Sequence, residues 1–257
     1  MFFEPAPTRF DLNFRLLGVW VRVHPMHWVF SAILGLGFCR GTAEVLIWVI
    51  CVFLSILLHE MGHLMAMRLF GSDGHIVLYS FGGLAVPYHH LPNRWQRIAV
   101  SFAGPLVQLI LYGLIKLFLI WVAWKEFDLS EKAWFTLGVL IFINLYWAIL
   151  NLFPIWPLDG GQMCRELFTW FSRRSGVRAS LTLSIAVSGI LAIHYLAAYF
   201  GQSLFPILGS GGLYTILLFG SLAFGSVTAL KQDAAIHREW NDEPWRDPDD
   251  DGEAWKR

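Results

Sequence analysis

The sequence predicts an all-α membrane protein of about six transmembrane helices, with a short membrane-associated β-hairpin or re-entrant strand. Three observations carry this prediction. Hydrophobic residues make up 56% of the 257 and charged residues only 15%, well below the roughly one quarter charged in soluble domains. The apolar residues gather into runs of bilayer-spanning length. Many of the 13 Trp residues fall near the ends of those runs, as in interfacial belts.

Taken in order, residues 17–23 read as a short strand before the membrane. His24-Pro25-Met26-His27 opens a first span over 26–38, short and weakened by Gly35 and Gly37. A second span covers 43–69. Residues 71–87 differ in kind: β-prone around His75-Ile76-Val77-Leu78-Tyr79 and glycine-rich at Phe81-Gly82-Gly83. They read as a hairpin or re-entrant strand, which is tolerated at membrane depth only against protein or water. The third span, 98–123, contains Ala103-Gly104-Pro105, a kink or close-packing point. A fourth span covers 133–153, an amphipathic segment follows at 165–178, and the last two spans cover 179–200 and 212–230. No internal repeat stands out, and no signal peptide precedes the first run, so the spans themselves direct insertion.

Charge adds a direction. The formal net charge is zero, but residues 231–257 hold nine Asp/Glu against five Lys/Arg. This acidic stretch reads as a disordered tail on a membrane domain of residues 1–230. Nothing marks a nucleic-acid footprint. Placing the N-terminus inside puts Arg9, Arg15, Arg22, Arg68, Arg94, Arg97, Arg165, Arg173, Arg174 and Arg178 on the cytoplasmic side. Only Arg40, Lys125 and Lys132 then face out, and six spans return the C-terminus to the cytoplasm. Cys39, Cys51 and Cys164 have neither paired nor zinc-knuckle spacing.

The chemistry lies in His59-Glu60-Met61-Gly62-His63, inside the second span. Histidines four apart share one helix face and can reach one metal ion. Glu60 lies about 100° round the helix, where it serves as a general base without ligating. This is the His-Glu-x-x-His arrangement of a zinc hydrolase. In so apolar a span these groups are costly unless they face a polar cavity or a metal. A third ligand is required. Asp159, in Asn151-Leu152-Phe153-Pro154-Ile155-Trp156-Pro157-Leu158-Asp159-Gly160-Gly161, has two readings: a carboxylate turned inward, or the N-cap of a helix beginning near Gly160. Both spans run outside to inside, so Asp159 arrives at the same membrane face as the histidines.

Together these two stretches resemble the site-2 protease family of intramembrane zinc metalloproteases, over roughly residues 18–175. Phe81-Gly82-Gly83 and Ala103-Gly104-Pro105 sit where that family carries similar elements. The resemblance implies a catalytic core at about 43–160, with His59, His63 and Asp159 binding one Zn2+ and Glu60 assisting attack by zinc-bound water. It further implies that Asn151 orients the substrate or the oxyanion, and that the hairpin with Gly82 and Gly83 holds an unwound substrate strand. The implied substrate is a single-span membrane protein, such as an anti-sigma factor or a signal-peptide remnant, in a prokaryotic cell membrane. No PDZ or CBS domain is seen, so the chain reads as a compact form. Gln108 stands where many relatives have Asn, and Gln96 where an acidic residue is common. These departures are expected to bear on peripheral packing and not on chemistry. The alternative is a non-catalytic metal-binding scaffold or a transporter. An intact Glu60 argues against the scaffold, and the scarcity of polar groups in the other spans argues against transport. His24, His27, His89, His90, His194 and Lys116 read as interfacial, solvated or packed groups outside the site.

Overall fold

The computed structural model describes residues 4–80, 82–209 and 211–241. Phe81 and residues 242–257 of the acidic stretch lie outside them. In chain order the elements are β1 (Leu12–Leu16), β2 (Val19–Val23), α1 (Pro25–Gly35), α2 (Thr42–Leu69), β3 (Gly74–Tyr79), β4 (Gly82–Pro87), α3 (Arg94–Trp124), α4 (Glu131–Asn151), α5 (Asp159–Phe171), α6 (Arg173–Tyr199) and α7 (Leu213–Asn241). Among the described residues five helices are long and apolar enough to cross a membrane: α2, α3, α4, and most of α6 and α7. The chain is an integral membrane protein.

The expected first span is a correction. Of residues 26–38 only those up to Gly35 are helical: α1, Pro25–Gly35, has 11 residues and is about 16 Å long at 1.5 Å per residue, roughly half a bilayer core. Gly35 sits flush on the Trp48 indole, and the chain turns through Phe38 and Cys39 onto the Gly35 carbonyl.

Residues to Pro154, with Leu158–Glu166, form one compact unit. Its middle is α2: 56% of its apolar window is buried, against 17% for α3 and 22% for α4, whose outer faces remain open. Beside α2 stands a four-stranded sheet of order β1-β2-β3-β4. The β1–β2 turn is Leu17-Gly18, with φ of 51° and 77°, the two left-handed residues of a tight hairpin. The strand expected at 17–23 is therefore the second of a pair. β2 runs parallel to β3, pairing Trp20–Val23 with His75–Leu78, and β3 pairs antiparallel with β4. Val19, Val21, Val23, Ile76 and Leu78 are fully buried with Ile56 and Leu64 of α2 in one core. Burying each such side chain away from water stabilises by about 1.5–3 kcal/mol.

The β3–β4 hairpin climbs alongside α2. A Cβ on Gly74 would touch Leu64, and one on Gly83 would collide with Glu60. Beyond them, Leu78 accepts a hydrogen bond from His24 N, just ahead of α1, whose His27 ring packs on Phe53. The hairpin thus spans the level of α2 from Leu64 to beyond Glu60. Of the two expected forms, hairpin or re-entrant strand, it is the hairpin that is present, as part of a four-stranded sheet.

Ile155–Pro157 and residues from Leu167 onward form the second unit. In it α6 packs on α7, with Ser184 and Ser226 hydroxyls 2.8 Å apart. His194 is buried, its Nδ1 accepting from Phe205 N at 3.3 Å, a packed polar residue as expected. α7 continues to Asn241, past the boundary at 230 drawn from charge.

Candidate metal centre

Three side chains that could hold a metal ion converge in the first unit. His59 and His63 stand one turn apart on α2, with their Nε2 atoms 3.1 Å from each other. Asp159 Oδ2 lies 3.1 Å from His59 Nε2, and Oδ1 lies 3.4 Å from His63 Nε2. All three residues are buried, and their ligand atoms lie within 4.8 Å of one another. Of the two readings of Asp159, the inward one holds. It is the first residue of α5, and its carboxylate faces the histidines. Gly160 permits this: a Cβ there would lie 2.5 Å from the Phe153 carbonyl oxygen. The chain, stopped by Pro154 and Pro157, folds back tightly on the end of α4.

The neighbours of the histidines fix where their protons sit. His59 Nδ1 is 2.9 Å from Gln108 Oε1, and His63 Nδ1 is 2.7 Å from the Val100 carbonyl. Both partners are acceptors, so each Nδ1 carries a hydrogen, and a neutral ring then presents its lone pair at Nε2. Asp159 Oδ2 is buried and touches His59 Nε2. Two imidazole nitrogens and a carboxylate thus crowd together at 3.1–3.4 Å. A divalent cation satisfies such a cluster, and the donor set of two imidazoles and one carboxylate is that of a catalytic zinc site with a position left open.

α3 closes the other side. Its Gly104 lies against both imidazoles; a Cβ there would come 2.9 Å from His59 Cε1 and nearer still to His63. Opposite, Gly62 of α2 would bring a Cβ within 2.8 Å of the Ala103 carbonyl oxygen. Val100, Gly104 and Gln108 recur every fourth residue, so one face of α3 lines the histidine stripe of α2.

Glu60 is buried beside this cluster, its side chain against the backbone of Gly83 in β4. Gly82 is half-buried on the same strand, with the Trp147 ring 3.8 Å from where its Cβ would be. Asn151, in the last turn of α4, donates one amide hydrogen to the Trp147 carbonyl at 3.0 Å. One residue was misjudged from sequence. Gln108, expected to matter only for peripheral packing, is fully buried and bonded to His59. Its position four residues after Gly104 was the available signal.

Comparison with known proteins agrees with this geometry. The model of peptidase family M50 matches residues 47–132 and 122–195. The chain belongs to that family of membrane-embedded peptidases, which includes the site-2 proteases. It is 32% identical over 171 residues to stage IV sporulation protein FB of Bacillus subtilis, covering 65% of this chain and 53% of that protein. It is 32% identical over 178 residues to a putative zinc metalloprotease of Synechocystis, covering 68% and 42%. A zinc metalloprotease of Methanocaldococcus jannaschii shares 27% identity over 182 residues, covering 70% and 51%. The chain spans about half the length of these relatives. The solved site-2 protease from Methanocaldococcus jannaschii has the same fold, at TM-score 0.58 and 24% identity, over 86% of this chain and 95% of that one.

Proposed function

We propose that the protein is an intramembrane zinc endopeptidase that cleaves within the transmembrane segment of a single-span membrane protein. The observation that carries this reading is the meeting of His59 Nε2, His63 Nε2 and the Asp159 carboxylate within 3.1–3.4 Å, buried in one apolar unit. These three residues hold the ion. When bound, zinc supplies Lewis acidity, activating water and polarising a peptide carbonyl.

The remaining work falls to the chain's own groups. Glu60 takes a proton from the attacking water and passes it to the leaving amine. Its carboxylate is kept out of bulk water by the β4 backbone at Gly83. A helical substrate hides its carbonyls, so the segment must unwind before it reacts. β4 is the last strand of the sheet and pairs on one side with β3, which leaves an edge for the unwound segment to join as a further strand. Gly82 and Gly83 allow that strand to approach Glu60 closely, and Asn151 orients the carbonyl. Single-span regulators such as anti-sigma factors, or signal-peptide remnants, meet this requirement.

Orientation follows from two features. Arg68, Arg94 and Arg97 mark the cytoplasmic ends of α2 and α3, against Lys125 and Lys132 opposite. β2 pairs with β3, which follows the cytoplasmic end of α2, so the N-terminus is cytoplasmic as well. The four later crossings bring α7 back to the same side. The bacterial and archaeal sources of its relatives support a prokaryotic cell membrane.

The test uses detergent-purified full chain, with a single-span protein reconstituted beside it. Wild type should hold about one zinc per chain, Asp159→Ala should lose it, and Glu60→Gln should keep zinc but cleave nothing. Zinc unaffected by Asp159→Ala, or turnover by Glu60→Gln, would overturn the assignment.

A further inference from the structure

Gln108 is a fully buried amide side chain in contact with His59 of the metal cluster. It sits in α3, is 0% exposed, and has both ends engaged. Oε1 lies 2.9 Å from His59 Nδ1, while Nε2 donates to the Ser55 carbonyl at 3.3 Å. Ser55 stands four residues before His59 on α2, so the amide bridges the turn that carries the ligand. The same serine's hydroxyl accepts from Asn144 Nδ2 of α4 at 3.0 Å, and Asn144 is also fully buried. One polar chain therefore ties α4, α2 and α3 together and ends on the first histidine.

The direction of this chain is determined at each link. The Ser55 carbonyl can only accept, so the amide nitrogen of Gln108 must face it. That leaves Oε1 as the atom on His59, and an oxygen there demands that His59 Nδ1 carry the hydrogen. In the neutral imidazole the lone pair is thereby left on Nε2, the atom that faces His63 and Asp159. His63 reaches the same state by a different route, through the Val100 backbone carbonyl, which no side-chain substitution removes. The two histidines are thus unequal: one is held by the backbone, the other by a side chain.

We propose that Gln108 is the positioning residue for His59, fixing its tautomer and ring orientation so that Nε2 is presented to the metal. This rests on His59 being a ligand. Outer partners of metal-bound histidines typically contribute about 10–100-fold in metal affinity. The contribution of Gln108 is read in metal binding; without it the Asn144–Ser55 bond still joins α4 to α2.

The experiment measures zinc affinity by chelator competition on the detergent-solubilised full chain, alongside thermal unfolding of the metal-free protein. Four chains are compared: wild type, Gln108→Met, Gln108→Glu and His59→Ala. Methionine matches glutamine in length but offers His59 only a weak acceptor. Gln108→Met should bind zinc about 10–100-fold more weakly while its metal-free form melts no lower than wild type. Gln108→Glu restores an acceptor oxygen and should return affinity to within a few-fold. Zinc affinity of Gln108→Met within twofold of wild type would overturn the proposal. So would metal-free Gln108→Met that is unfolded or melts lower, because the residue would then serve packing. Failure of Gln108→Glu to restore affinity would also overturn it. His59→Ala separates the two levels: if it binds zinc like wild type, the ligand reading itself falls; if it loses zinc while Gln108→Met does not, only the role of Gln108 falls.

Discussion

Gly104 gives the most direct test of how the helices make the site. The perturbation is Gly104→Ala, one methyl group added where α3 meets both imidazoles. The added carbon would lie 2.6 Å from His63 Cε1 and 2.9 Å from His59 Cε1, whereas carbon atoms settle at about 3.5–4.0 Å. About 1 Å of movement is needed, by the rings or by the helix. If α3 backs away it gives up its close backbone approach to Gly62, where a Cβ would lie only 2.8 Å from the Ala103 carbonyl oxygen, and draws Gln108 and Val100 off the imidazoles. Otherwise the rings move. Metal–ligand distances tolerate about 0.2 Å, so a displacement several times larger should release the ion. Overpacking should also cost about 1–3 kcal/mol of stability. The control is Gly113→Ala on the same helix, where nothing lies within 4 Å of the new carbon. Zinc per chain and chelator competition read the site, and thermal unfolding of the metal-free protein reads the packing. Gly104→Ala should lose zinc while Gly113→Ala keeps it. If both bind zinc equally, the ligand rings are not held by this contact and the geometry argued from α3 is wrong.

Three further outcomes are expected. Gly83→Ala would drive a methyl group into Glu60, 2.6 Å from Oε1, so cleavage should be lost with zinc retained; equal activity would show that β4 does not abut the base. Arg97 forms a fork on Glu166, with both bonds at 2.8 Å, and also donates to the Leu91 and Pro92 carbonyls. Arg97→Lys keeps the charge but not the fork, and should lower stability by about 0.5–1.5 kcal/mol after allowance for partial exposure; an unchanged melting temperature would count against it. Hydrogen bonds from Arg68 and from Gly74 N hold the Asp73 carboxyl below its usual range. A depressed value in the folded state means the stabilisation is present above the unfolded pKa, about 3.9, and fades as pH falls through the folded one. Asp73→Asn should therefore flatten the loss of stability in acid, and an acid melting series of the two proteins checks it.

Features decided within a turn of helix were legible in the sequence. Two histidines four apart need only the period of α2 to share a face, and Glu60 needs only its place between them. Asp159 required more. Its two readings are both local, and the choice depends on Gly160 folding against the Leu152 and Phe153 carbonyls, which no window around the aspartate contains. The β1–β2 hairpin joins β3 in parallel across the whole length of α1 and α2, so the sheet could not be assembled from neighbouring residues. α1 was taken for a span because its composition is apolar; its length was set by a turn at Gly35 against Trp48.

The α3 face is the instructive case. Val100, Gly104 and Gln108 repeat with the same four-residue step as the serine and histidines of α2, and the two stripes meet antiparallel, Gln108 on His59 and Val100 on His63. None of the three announces chemistry. One supplies a backbone carbonyl, one the absence of a side chain, and one an amide that is inert until an imidazole stands opposite. A residue type points to a site only when its own group reacts or ligates. Residues that decide which nitrogen keeps its proton have no such mark, and they become visible once the partner helix is in place. A glycine and a buried amide four apart in an apolar span therefore mark the face that a ligand-bearing helix will occupy, and Gly104 and Gln108 mark it here.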